Sequence, residues 1–275
     1  MKAATGIGIA AALAGLLIGV VLEGGNPMAF LNLPAAFIVF GGTFGATFAS
    51  TSFEQMKRIP ALYKRVLTSE SPDLQARVDL LVGYAERARR DGLLALDDEI
   101  QGLDDDFTRK GLQLVVDGTD PELVREILEN ELDGMTARHA KGRSPFERAG
   151  GYAPTMGILG TVMGLVHVLE GLDQPETLGP AIAGAFMATL YGVGAANVIF
   201  LPVANRLQHL SEEEQELRLM TIEGVLAIQA GDNPRIVADK LLSFVPPERR
   251  RSPDERPASA AEAEAPAAEP AQAAA

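Results

Sequence analysis

Apolar and polar positions follow two regimes along this chain. Four stretches run with scarcely a charged side chain, and the segments between them place apolar residues every three or four positions. A helix needs about 20 apolar residues to cross a bilayer. The uncharged stretches are Ala3 to Leu22, Leu31 to Phe53, about Ala149 to Leu169 and about Gly179 to Val203. The second and fourth carry nothing charged at neutral pH, and the third holds His167 near its end. The first has a single lysine ahead of it, ends in Val20-Val21-Leu22 with no Ala-x-Ala cleavage pattern directly ahead of the polar turn, and is followed eight residues later by another span. It reads as a retained helix rather than a cleaved leader. The pattern predicts an all-α integral membrane protein: four transmembrane helices with a helical cytoplasmic domain between spans 2 and 3.

Lysine and arginine set the expected orientation. The loops at 23–30 and 170–178 have no basic residue, only Glu23, Glu170, Asp173 and Glu176. The long loop opens with Lys57, Arg58, Lys64 and Arg65 and closes with Arg138, Lys141, Arg143 and Arg148. Both termini and this loop are therefore expected in the cytoplasm. The division that follows is a hairpin at 1–53, a helical loop domain at 54–148, a second hairpin at 149–203, a helical region at 204–245 and a tail at 246–275.

Within the loop, Ser71-Pro72-Asp73 reads as a helix start, with Ser71 as cap and Pro72 in the first helical position. Leu74, Val78, Leu81, Ala85 and Ala88 then form one stripe, and Gly92 ends the helix. Asp120-Pro121-Glu122 starts another helix. Beyond the fourth span, Val203 to about Gln229 continues as a helix with the acidic run Glu212-Glu213-Glu214. The Pro-, Ala- and Glu-rich tail from Pro246 has no large apolar residue and is expected to be disordered.

Composition now excludes several chemistries. The 275 residues contain no cysteine, so a disulfide scaffold, a thiolate metal site and a cysteine nucleophile are ruled out. A net charge of −13 argues against nucleic-acid binding. His139, His167 and His209 are far apart, and no phosphate-cradling Gly-Lys-Ser/Thr loop or Gly-x-Ser-x-Gly elbow occurs. No enzymatic function, resident metal or cofactor is expected.

A transporter usually carries a charged group at membrane depth, and this chain has none near the midplane. It has hydroxyls instead: Thr161 in the third span, Thr189 and Tyr191 in the fourth. Thr161 lies eight residues before Leu169 and Thr189 ten after Gly179, so the two threonines reach similar depth. They are candidates for an ion path, although a single threonine is also satisfied by its own helix carbonyl. Gly15-x-x-x-Gly19, Gly41-x-x-x-Gly45 and Gly160-x-x-x-Gly164 would let helices approach closely. Pro154 and Pro202 sit towards the cytoplasmic ends of spans three and four, where each frees a carbonyl or simply marks a helix end. If ions pass, the missing carboxylate must come from a partner helix.

Several of these stretches resemble one family. Gly157-Ile158-Leu159-Gly160-Thr161-Val162-Met163-Gly164-Leu165-Val166-His167 and Ala188-Thr189-Leu190-Tyr191-Gly192 are similar to the third and fourth helices of flagellar motor stator proteins of the MotA/PomA type, in the MotA/TolQ/ExbB proton channel superfamily. Arg89-Arg90-Asp91-Gly92-Leu93-Leu94-Ala95-Leu96-Asp97 resembles that family's loop motif, and Gly231-Asp232-Asn233-Pro234-Arg235 with Lys240 to Pro247 its C-terminal segment.

The resemblance implies a homopentamer in the bacterial inner membrane around two single-span, peptidoglycan-anchored partners of the MotB/PomB type, which bring the ion-binding aspartate. Flow of Na⁺ or H⁺ would drive rotation against the rotor protein FliG. By position, Arg89, Arg90 and Asp97 would contact the rotor, Asp97 standing where the family usually has Glu, and Pro154 and Pro202 would be the paired channel-end prolines. Sodium-type members resemble this chain at Thr161, which points to Na⁺ over H⁺, with a transient Na⁺ near that residue. Two alternatives stand beside this: a TolQ/ExbB-type energiser, whose layout has three spans, and a self-contained channel or transporter.

Overall fold

The computed structural model describes residues 4–69 and 71–250, and among them every regular element is helical. Two long helices carry the others: α6, Pro121–Glu170, and α7, Pro175–Gln229, of 50 and 55 residues. At 1.5 Å per residue they are about 75 and 83 Å long, more than twice the hydrocarbon thickness of about 30 Å. Each can therefore cross a membrane and still project well beyond it. The Asp120 carboxylate accepts from the Glu122 N–H, and Pro121 fills the first turn, so α6 begins at the expected cap. Residues 148 and 149 lie inside one uninterrupted helix, so the expected boundary there is a change of surroundings and not of backbone.

The outer hairpin is α1, Ala4–Leu22, and α2, Leu33–Ser50. Both are apolar enough to cross a membrane, making four such helices with α6 and α7 among the described residues. The second span ends earlier than the expected Phe53. Thr51 is extended, and Ser52 and Gln55 form a reciprocal capping box that starts α3, Phe53–Thr68, so Phe53 belongs to that helix. The start of α4, Leu74–Asp91, also differs from expectation: Asp73 caps it through the Ala76 N–H. Ser71 is occupied elsewhere, its hydroxyl donating to Glu213 at 2.7 Å. Gly92 ends α4 with φ of 88°, a left-handed value that suits glycine.

Beyond the spans, α4, α5 (Asp106–Val116), α8 (Pro234–Leu242) and the lower halves of α6 and α7 form a helical head. Leu81, Leu96, Ile100, Leu112, Leu128, Met220, Ile222, Ile228 and Leu241 are fully buried in it. Asp105 caps α5 and binds Arg77. Burial pushes its carboxyl up, but hydrogen bonds from Thr108 and Arg77 and the guanidinium charge outweigh this and hold it below the ordinary carboxylate value. The tail expected to be disordered lies, from 251 to 275, outside the described residues; Pro247–Arg249 form one 3₁₀ turn.

Inside the spans, small residues let α6 and α7 approach within backbone contact. A Cβ on Gly157 would sit 2.9 Å from the Ala188 carbonyl oxygen, and one on Gly192 would collide with the Ala153 carbonyl. Gly160 and Gly164 face Ala188 and Ala185, and a Cβ on either glycine would lie 2.7 Å from the alanine Cβ. The other two expected packing pairs behave differently: Gly15, Gly19, Gly41 and Gly45 face open space. Both α2 and α7 contain a π turn, at Phe37–Gly41 and Ala195–Phe200. The second precedes Pro202, which has no N–H for the regular ladder.

Where α3 meets the long helices, Arg65 and Arg218 bind Glu214 at 3.2 and 3.0 Å, and His139 Nδ1 lies 3.0 Å from the Ser211 hydroxyl. Burial lowers the His139 pKa; the Glu214 carboxylate opposes this, while Arg65, Arg218 and Arg138 reinforce it.

Two outcomes follow. Gly157→Val should destabilise the purified protein by at least about 1–3 kcal/mol through overpacking, read as a lower melting temperature, while Gly45→Val leaves the chain's own packing unchanged. His139 has a depressed folded pKa, so its contribution is complete above the unfolded value of about 6.5 and is lost as pH falls below it. Melting temperatures across that range should fall more steeply for the native chain than for His139→Gln.

Candidate functional site

The close crossing of α6 and α7 places one turn of each against the other at mid-span. Thr161 and Thr189 are both half-buried there, with their hydroxyl oxygens 2.5 Å apart. Thr161 Oγ1 also lies 3.1 Å from the Gly157 carbonyl oxygen and 2.9 Å from that of Ala185. A hydroxyl has one proton to donate, so Thr161 cannot satisfy both carbonyls at once. When it donates to one of them, Thr189 can donate to Thr161, and the other carbonyl keeps only its bond within the helix, with a second lone pair unused. The result is a cluster of four oxygens, the two hydroxyls and the two carbonyls, with two hydroxyl protons among them. Such an oxygen-rich arrangement suits a hard cation.

Nothing charged stands beside these oxygens. No group of three or more His, Asp or Glu side chains able to hold a metal occurs among the described residues. A cation at the hydroxyl pair would meet neutral oxygens, in two stretches, 149–166 and 179–203, that hold no residue charged at neutral pH. His167, in the last turn of α6, is exposed beside Glu170 at 3.7 Å and does not reach the pair.

Tyr191 is directed elsewhere. Its hydroxyl donates to the Phe30 carbonyl and accepts from the Asn32 N–H at 2.8 Å, and its ring stacks 6.2 Å from Phe40. It ties the start of α2 to α7, while the Asn32 carboxamide caps α2 through the Ala35 N–H. The structure therefore brings Thr161 and Thr189 together and gives Tyr191 to the hairpin junction.

Pro154 and Pro202 lie on either side of a second tight contact, where a Cβ on Gly150 would meet Leu201 Cδ2 at 2.5 Å: Pro154 follows Gly150 one turn further into the apolar part of α6, and Pro202 follows Leu201 towards the head. Helix α6 continues through Pro154, and in α7 Pro202 stands in the first α-helical turn after the π turn. Polar groups that sequence reasoning missed are Thr43 and Thr47 of α2, at 0% and 2% exposure, whose hydroxyls have no partner. Their four-residue spacing in an uncharged span was the available signal, since it puts both on one helix face.

At the far end of the head, Arg89 and Arg90 occupy the last turn of α4. Both are exposed; Arg90 pairs with its neighbour Asp91 at 3.2 Å, and Arg89 forms no ion pair with a described residue. Asp97 is half-buried and accepts from Gln113 at 3.4 Å, less open than expected because it starts a one-turn helix, Asp97–Ile100, packed beside α5. Between them Leu94 is 77% exposed.

Comparison with known proteins bears on all of this. The MotA/TolQ/ExbB proton channel family profile matches residues 99–220, and the motility protein A N-terminal profile matches 6–91. Motility protein A of Bacillus subtilis is 39% identical over 246 residues, 89% of this chain and 91% of that protein. The solved structure of C. jejuni MotAB matches with a TM-score of 0.86 at 29% identity, covering 92% of this chain and 100% of that one. That of the flagellar MotAB stator complex from Bacillus subtilis matches with a TM-score of 0.83 at 37% identity, covering 89% and 96%.

Tyr191→Phe should leave the Asn32 N–H and Phe30 carbonyl without their shared partner, at a cost of about 1–3 kcal/mol. Hydrogen exchange at the Asn32 amide should accelerate, with exchange in the head unchanged.

Proposed function

The chain belongs to the MotA/TolQ/ExbB proton channel family, and we propose that it serves as the ion-driven stator subunit of a flagellar motor. The observation that carries the ion role is the hydroxyl pair Thr161–Thr189, set against two backbone carbonyls at mid-span. The hairpin α1–α2 supports the stator over a three-span energiser, since the motility protein A profile matches that region.

The missing carboxylate points to a second subunit. The two similar solved structures are MotAB complexes, and a MotB/PomB-type single-span chain would supply an aspartate beside Thr161. Na⁺ is the favoured ion: it takes oxygen ligands such as the Thr161 and Thr189 hydroxyls and the carbonyls beside them, which a proton carried on the partner's carboxylate does not need. The chain sits in the inner membrane, with both termini and the head in the cytoplasm, as the basic residues flanking the spans indicate. The apolar, outward-facing side of α1, including Leu16, Leu17 and Ile18, is left for lipid or a neighbouring copy, in keeping with a pentamer.

The head would work on the rotor protein FliG through Arg89, Arg90 and Asp97. Exposed charges individually contribute about 1 kcal/mol or less, which suits contacts made and broken at every step. Asp97 is pinned by Gln113 and recessed, so in this reading Arg89 makes the main contact.

Two measurements test the reading. In a strain lacking the gene, the native chain should restore swimming in proportion to external sodium at fixed proton-motive force. Thr161→Ala should abolish that dependence; rescue indifferent to sodium would favour H⁺. Arg89→Glu should lower torque several-fold while leaving ion uptake by the purified complex unchanged.

A further inference from the structure

Helix α3 is basic in an acidic protein. Its 16 residues hold Lys57, Arg58, Lys64 and Arg65 against Glu54 alone, in a chain of net charge −13. One face is spent on packing: Ile59, Leu62, Tyr63 and Val66 lie against Phe146, Val203, Ala204 and Leu207 of the long helices. The remaining face is open, with Lys57, Arg58, Ala61 and Lys64 exposed. Lys57 sits 4.5 Å over the Phe53 ring, which is itself 61% exposed. Lys64 makes no ion pair with a described residue, and Arg58 keeps 65% of its side chain exposed despite its pair with Glu54.

The position of this face identifies what it meets. At one end of α3, the Phe53 ring stands edge-on to Phe48, near the end of α2, at 6.0 Å between centroids. At the other, the Leu67 side chain lies 3.6 Å from where a Cβ on Gly6 would be, near the start of α1. Those two points are the same-side ends of an antiparallel membrane hairpin. A helix of about 24 Å held at both of them stays at the membrane surface along its length.

We propose that the open face of α3 binds the anionic head groups of phospholipids, with Lys57, Arg58 and Lys64 as the phosphate contacts and Phe53 entering the interface. Basic clusters directly beside a span are attracted to an anionic leaflet, and an aromatic ring at that level adds interfacial anchoring. Such binding would fix the hairpin end of each subunit to the surrounding lipid while the long helices carry the head. It rests on the membrane reading of the four spans and not on which ion passes.

The test is retention of phosphatidylglycerol against phosphatidylcholine by the purified full chain with its partner subunit, read by native mass spectrometry. The native protein should retain phosphatidylglycerol preferentially. Replacing Lys57, Arg58 and Lys64 together by Gln should cut that retention by about 5-fold for each charge removed, with an unchanged melting temperature. Glu54→Gln, which frees Arg58, should raise it. Equal retention of the two lipids by the native protein would overturn the proposal, as would undiminished retention by the triple variant. A triple variant that loses oligomeric mass but keeps its lipid would assign the face to a second copy of the chain, and equally overturn it.

Discussion

Backbone-level contact between the third and fourth spans is the constraint on which the rest depends. Gly157 and Gly192 leave no room for a side chain between α6 and α7, and only at that separation can two short threonine side chains meet. Wider spacing would return each hydroxyl to its own helix and dissolve the cluster of oxygens. The same contact fixes the rotation of both helices, so it also decides which face the outer hairpin covers. In hydrocarbon, dispersion between closely fitted small residues is a main source of association, which is why glycine and alanine occupy this seam.

Those two helices also join membrane to head without a flexible link. Each continues beyond the spans as regular helix, interrupted only by the π turn ahead of Pro202. The head core is built directly on their lower halves, with Leu128 of α6 and Met220 and Ile228 of α7 fully buried among residues of α4, α5 and α8. The helix that ends in Arg89 and Arg90 is thus joined to the crossing by regular helices packed on one core. The ion pairs around Glu214 brace α3 against this lever where it leaves the membrane.

Much of this was legible in the sequence, because a span is a matter of composition and depth can be counted from its ends. That arithmetic placed Thr161 level with Thr189. It could not show which way either helix is turned, so the direct pairing and the roles of Gly157 and Gly192 waited for the structure. Small-residue spacing says that a helix can be approached and not that anything approaches it; hence Gly15, Gly19, Gly41 and Gly45 read like Gly160 and Gly164 but face open space within the chain. Ser71 looked like a cap, yet its hydroxyl has a partner 142 positions away in sequence, which no local pattern reveals. Tyr191 lies two residues beyond Thr189, and its side chain leaves the helix on another side and reaches the hairpin junction.

The claim with most resting on it is that the Thr161–Thr189 pair lies on the ion path. Uptake of radioactive sodium by proteoliposomes carrying the complex with its single-span partner tests it most directly, comparing the native chain with Thr161→Val. The account predicts that the variant assembles normally and loses sodium uptake. An intact Thr161→Val complex that takes up sodium at the native rate would contradict it and move the path away from this crossing.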